Sequence, residues 1–188
     1  MNTQSPLPPA RCDTGERKRV IDAAFALGIP RDYGRRHGLR AVREPQRLAS
    51  IGDDIHGRHQ WLVPRAARSW WRMRQQAAED GIELQVVSAF RSASYQLVIV
   101  ERKLERGQSI AEILRVSAAP GFSEHHSGRA VDISTPGYAA LEEEFESSPA
   151  FHWLQRHAGD YGFRLSFPRD NAHGIAYEPW HWCWRRES

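Results

Sequence analysis

Cysteine is nearly absent. Cys12 and Cys183 are the only two among 188 residues, too few for a disulfide-stapled secreted scaffold, and no bridge between them follows from sequence. Long apolar runs are missing too: the longest aliphatic stretch, Leu97 to Val100, falls far short of the roughly 20 residues that a membrane-crossing helix needs. No transmembrane segment is expected. Residues 1–19 are proline-rich and end in charge, without the ~7–15-residue apolar core of a secretory signal. A cytoplasmic location is the expectation for the sequence as written, and a periplasmic one only for a chain that has lost a leader. Neither sign of charge dominates: 26 Lys and Arg against 23 Asp and Glu leave a formal +3, which gives no reason to expect nucleic acid. There is also no phosphate loop, dinucleotide fingerprint, Gly-x-Ser-x-Gly elbow or His-Glu-x-x-His helix. Against these absences, hydrophobic residues at 40% and charged residues at 26% are ordinary for one globular domain with an extension. The unusual entries are 7 Trp and 9 His, the latter being the commonest metal ligand and proton carrier near neutral pH.

Pro6, Pro8, Pro9 and Gly15 punctuate residues 1–16, which read as a flexible tail. Residues 17–59 read as a helical and loop extension. Within it Val20, Ala23, Ala24 and Leu27 keep helical spacing before Gly28 and Pro30, and Arg31 to Arg47 reads as loop with short helix, a solvated basic face. Residues 60–188 read as the main domain. Pro64 to Asp80 is an expected helix stopped by Gly81, followed by a strand from Ile82 to Ala89, a helix from Ser94 to Arg106 and a second from Ile110 to Val116 capped by Ser109. A loop from Ala118 to Ser127 leads to a strand at Arg129 to Ser134. Helices at Ala139 to Phe145 and Pro149 to Ala158, then strands at Tyr161 to Phe167 and Trp180 to Trp184, complete the chain. Because helices and strands mix without βαβ alternation, the expected class is α+β, a small and mainly antiparallel sheet flanked by helices.

Two segments concentrate metal-type ligands: Ser123-Glu124-His125-His126-Ser127-Gly128-Arg129-Ala130-Val131-Asp132, and Glu178-Pro179-Trp180-His181-Trp182. Period-two alternation puts Ala130 and Asp132 on one strand face, with small Ala130 leaving room beside the carboxylate. Pro179 forbids a helix through Glu178 and His181, so both come from extended chain. Two imidazoles and a carboxylate, His125, His181 and Asp132, form a three-ligand zinc set with a fourth position open for water, the pattern of a catalytic site. Glu178 is then the spare carboxylate, placed to take a proton from water acidified by zinc and pass it to a leaving amine. Trp180, beside Glu178, is expected to line the cleft. His126 points away from its neighbour and reads as a surface histidine or a supporter of the ligands, and His173, in the loop before Glu178, as a packing residue or one that reaches substrate; His37, His56, His59, His152 and His157 have no ligand spacing.

These residues resemble the zinc D-alanyl-D-alanine carboxypeptidases related to the vancomycin-resistance carboxypeptidase, whose pattern is Ser-x-His-x-x-Gly-x-Ala-x-Asp followed by Glu-Pro-Trp-His. The likeness extends to Ser88-Ala89-Phe90-Arg91-Ser92 with Gln96, and to Trp153-Leu154 and Tyr161-Gly162-Phe163, so that it covers about residues 60 to 184. It implies a fold shared with D-Ala-D-Ala metallopeptidases and the Hedgehog signalling domain, and one Zn2+ held by His125, Asp132 and His181. It further implies Glu178 as base, and Arg91, helped by Ser123 and Gln96, as receiver of the substrate's carboxylate or scissile carbonyl. The implied substrate is a peptidoglycan-derived stem peptide or muropeptide ending in D-alanine, with D,D or L,D bond left open. Two alternatives stand beside it: a D-Ala-D-Ala dipeptidase or peptidoglycan endopeptidase using the same site, and a catalytically silent zinc-binding module. Pro179 stands where related dipeptidases carry an aromatic, and intact Glu178 and Arg91 speak against silence. The sequence departs from the family after Trp182, where Cys183 and Trp184 replace the usual Arg and aromatic; Cys183 is expected to fill space.

Overall fold

The structure, a computed structural model, describes residues 8, 9 and 12–185, so most of the expected flexible tail lies outside the described residues. Its helices are α1 Thr14–Ala26, α2 Tyr33–Arg36, α3 Pro64–Glu79, α4 Ala93–Glu105, α5 Ile110–Arg115 and α6 Pro149–His157. Its strands are β1 Ala49–Asp53, β2 His59–Leu62, β3 Gln85–Ser88, β4 Ala130–Ser134, β5 Phe163–Leu165 and β6 His181–Trp184. The main sheet is antiparallel throughout, in the order β3-β4-β6-β5, and the fold is α+β as the sequence pattern predicts.

Alternation along β4 and β6 sorts side chains to two destinations. Val131, Ile133 and Trp182 enter the core, where the amphipathic stripe of α3 (Ala66, Ala67, Trp70, Met73, Ala77) and the apolar face of α6 (Ala150, Phe151, Trp153, Leu154) cover them. Asp132, His181, Ala130 and Cys183 share the opposite face, and the register pairs Asp132 with His181 and Ala130 with Cys183. One sheet therefore separates an apolar core from a polar site. Burial raises the pKa of Cys183, which packs as a small apolar group rather than presenting a thiolate.

Local chemistry explains where the elements depart from expectation. β3 starts three residues later than Ile82, because Gly81 is left-handed (φ 77) and the Ile82 N–H closes the end of α3 on the Ala77 carbonyl. The acidic helix expected from Ala139 to Phe145 is instead a short 3-10 turn, Glu143–Ser147, after Leu141 at φ 62. Three adjacent glutamates with one buried anchor, Phe145, cannot hold a longer helix. The β1–β2 hairpin, which joins the chain before residue 59 to the chain after it, carried too little alternation to be expected. Its turn is built on Asp54, whose fully buried side chain accepts from the backbone of His56 and Arg58, Arg58 Nε and Gln60 Nε2 at 2.8–3.0 Å.

Candidate active site

His125 lies on a 3-10 turn, Glu124–Ser127, begun by Ser123, whose Oγ accepts from the His125 N–H, and ended by Gly128 at φ 63. A Cβ on Gly128 would meet Leu48, Pro45 and Val63 side chains at 3.0–3.3 Å, so the tight return into β4 needs glycine. That return brings His125 Nε2 to 3.2 Å from Asp132 Oδ2, while His181 Nδ1 lies 3.0 Å from Asp132 Oδ1. The three ligand atoms fall within 4.8 Å of one another. Donors ~2.0–2.2 Å from one tetrahedral cation stand roughly 3.3–3.5 Å apart, so this set fits a zinc-sized ion. The remaining ring nitrogens are both engaged: His125 Nδ1–H donates to the Ala89 carbonyl at 2.7 Å, and His181 Nε2–H donates to Glu124 Oε2 at 3.0 Å. Each outer bond fixes a tautomer that turns the other nitrogen toward the centre.

Glu124 is the residue that sequence reasoning passed over. Besides His181 it accepts from Ser166 Oγ at 2.6 Å and pairs with Arg185. Burial opposes its charge, but these donors hold its carboxyl well below the usual range. A glutamate just before a ligand histidine was the available signal, yet its partners lie on β6 and beyond β5. Around His181, burial disfavours the cation, but Asp132 and Glu124 with the nearby charge of Glu178 push its pKa up to about 10. The same concentration of carboxylates attracts a divalent cation.

Glu178 is set by a turn: its N–H bonds to the Phe167 carbonyl and its own carbonyl accepts from the His181 N–H across Pro179. Its Oε2 lies 3.8 Å from His181 Nδ1. Burial above all, with the charges of Asp132 and Glu124, raises its pKa to about 7 against the pull of His181 and Arg91. Arg91, Ser123, Trp180 and Glu178 line one cavity of about 350 Å3 with the three ligand-type residues. Gln96 does not line it; fully buried, it sits behind Ser117 and Ala118, donating to Ser117 Oγ and the Ala118 carbonyl. A larger cavity, about 890 Å3 between Pro9, Cys12, Arg43 and Pro64, contains none of these groups.

His126 is fully buried rather than at the surface. Its Nδ1–H donates to the Arg91 carbonyl at 2.6 Å and its Nε2 accepts from Gly121 N–H, so it is neutral, and burial pushes its pKa down to about 3. His173 and His37 each donate Nδ1–H to the other's carbonyl, at 2.7 and 2.6 Å, tying the loop before Glu178 to the N-terminal extension.

The profile of the VanY family, D-alanyl-D-alanine carboxypeptidases, matches residues 59–187. Among curated proteins, the bifunctional D-Ala-D-Ala dipeptidase and D-Ala-D-Ala carboxypeptidase VanXYC of Enterococcus gallinarum is 31% identical over 154 residues, covering 77% of each chain. Three further curated relatives are matched over only 45%, 41% and 36% of their own length, so this chain spans less than half of each. Among solved structures, the LD-carboxypeptidase LdcB superposes with a TM-score of 0.66 at 31% identity, covering 77% of this chain and 71% of LdcB. A variant of the D,D-pentapeptidase VanY from a VanB-type resistance cassette, in complex with Zn(II), gives a TM-score of 0.58 at 26% identity, covering 78% and 84%.

Proposed function

Since the chain belongs to the VanY family of D-alanyl-D-alanine carboxypeptidases, we propose that it is a zinc-dependent carboxypeptidase removing the terminal D-alanine of peptidoglycan stem peptides or muropeptides. One observation carries this reading: His125 Nε2, Asp132 and His181 Nδ1 converge within 4.8 Å at the wall of a cavity that also holds Glu178. His125, Asp132 and His181 would hold the ion. Zinc supplies a Lewis acid for the scissile carbonyl and acidified water at neutral pH.

The chain's own groups do the rest. Glu178, with its pKa near that of an efficient base, takes the proton of the attacking water and returns it to the leaving amine. Arg91 stays charged despite burial and lines the cavity, where its guanidinium would bond a developing oxyanion. Ser123 Oγ, which among the described residues only accepts from His125 N–H, keeps its proton for a substrate oxygen. Gln96 supports the Ser117–Ala118 wall instead of touching substrate. Phe167, Ile175 and Trp180 exclude water from the apolar side.

The similarity to LdcB favours a second reading, in which the bond cut is L,D. Purified protein incubated with stem pentapeptide, stem tetrapeptide and D-Ala-D-Ala, with and without chelator, separates the readings. Chelator-sensitive release of D-alanine from pentapeptide supports D,D cleavage, release from tetrapeptide alone supports L,D cleavage, and release from the dipeptide alone supports a dipeptidase. No release from any of them would sink the enzymatic reading.

A further inference from the structure

α4 carries Gln96, Ile99 and Lys103 at positions i, i+3 and i+7, the spacing of one helix face. Ile99 and Lys103 reach the wall of the Glu178 cavity, with Val116 and Ser117 beside them. Lys18 and Lys103 are the only lysines among 26 basic residues. Lys18 pairs with Asp22 at the surface, whereas Lys103 is half-buried and its ammonium has no acid partner among the described residues. Burial, then the like charge of Arg91, lowers its pKa. Arg91 in turn is acted on by Asp132 and Glu178.

Arg91 and Lys103 thus share one cavity wall with the carboxylates of the ion site. Two cations on one wall repel each other, and an anion placed beside both relieves the repulsion. Arg91 Nε, a buried polar atom, also has no partner among the described residues. A carboxypeptidase substrate puts its terminal carboxylate one residue beyond the scissile carbonyl, a Cα step of ~3.8 Å. With the carbonyl at the ion site, a carboxylate one residue further along this wall would meet the cations of Arg91 and Lys103.

We propose that Lys103, together with Arg91, receives the terminal carboxylate of the peptide and so selects chain ends over internal bonds. This rests on the carboxypeptidase reading and adds its specificity determinant. Lys103→Met keeps the apolar stem and removes the charge; Lys103→Arg keeps the charge. Zinc-loaded enzyme is assayed with diacetyl-Lys-D-Ala-D-Ala and with its C-terminal amide. The wild type should prefer the acid, and Lys103→Met should raise KM for the acid about tenfold or more with kcat within about threefold, collapsing that preference. Lys103→Arg should retain most of it. Calorimetric binding of both peptides to Glu178→Gln protein, with and without Lys103→Met, gives a readout independent of turnover. Hydrolysis of acid and amide with equal efficiency by the wild type, or an acid preference undiminished in Lys103→Met, overturns the proposal alone. Neither hydrolysis nor binding of either peptide overturns the D,D-carboxypeptidase reading with it.

Discussion

Glu124 and Glu178 are the same residue type facing opposite nitrogens of the His181 ring, at 3.0 and 3.8 Å, yet their surroundings give them opposite properties. Glu124 is saturated with donors from His181, Ser166 and Arg185 and is held well below the usual carboxylate range. Glu178 is buried beside other carboxylates and raised to about 7. Under the proposed function the first is a permanent anion that orients His181, and the second would exchange a proton. Substituting Glu178→Gln should leave the zinc content at one ion per chain while turnover falls by about two orders of magnitude or more, read by metal analysis alongside steady-state kinetics. Glu124→Ala should act on the metal instead, weakening zinc affinity about 10–100-fold in competition with a chromophoric chelator. Glu124→Gln, which keeps an acceptor for the His181 Nε2–H, should lose less. An unaltered affinity in Glu124→Ala would remove Glu124 from the support of the ion.

At the scale of elements, the β1–β2 hairpin acts on the site through the chain that follows β3. Asp54 fixes the hairpin turn and holds Gln60 Nε2, while Gln60 Oε1 accepts from Ala89 N–H at 2.9 Å and the Trp61 carbonyl accepts from Phe90 N–H. The Ala89 and Arg91 carbonyls then receive His125 and His126. Burial opposes the Asp54 charge, but hydrogen bonds from the Arg58 and His56 backbone and the Arg58 side chain, with the charge of Arg58, lower its pKa. A carboxyl depressed by folding stabilises the native state fully above its unfolded pKa and ceases to do so as pH falls through the folded value. Asp54→Ala should therefore cost about 2–3 kcal/mol at neutral pH, a drop in Tm of roughly 5–10 °C. The gap between wild type and variant should close in calorimetric scans taken at progressively lower pH below 4. A gap independent of pH would mean that the carboxylate charge contributes nothing.

At the scale of the whole molecule, the N-terminal stretch is packed into the catalytic half. α1 lies against α4, Glu44 accepts from the backbone of Cys12 and Ala93 at 2.7 Å, and Tyr33 packs edge-on to Phe122 in a second small core with Ala24, Ile29 and Ala119. Gly121 is the crossing point: its carbonyl accepts from Val42 N–H, its N–H donates to His126, and a Cβ there would meet Ile21 Cγ1 at 2.5 Å with φ at +87. Gly121→Ala should cost about 2 kcal/mol, lower Tm by roughly 4–8 °C and expose the N-terminal segment to limited proteolysis. A variant as stable and as protease-resistant as the wild type would show that the two parts are not coupled there. The clustering of His125, Asp132 and His181 was legible in the chain because it depends on local rules: a turn ended by Gly128, period-two alternation that puts Ala130 and Asp132 on one face, and Pro179 ahead of a short strand. The helices α3, α4 and α6 were legible for the same reason, since capping and apolar spacing act within a few residues. Glu124 was not, because its partners lie 42, 57 and 61 residues away. Nor was the inward position of Gln96, or the pairing of His37 with His173 across 136 residues. The sequence by itself determined which side chains can hold an ion and exchange a proton. Only the tertiary structure decided how those groups are oriented and charged, since hydrogen bonds and burial arise between segments that the chain keeps far apart.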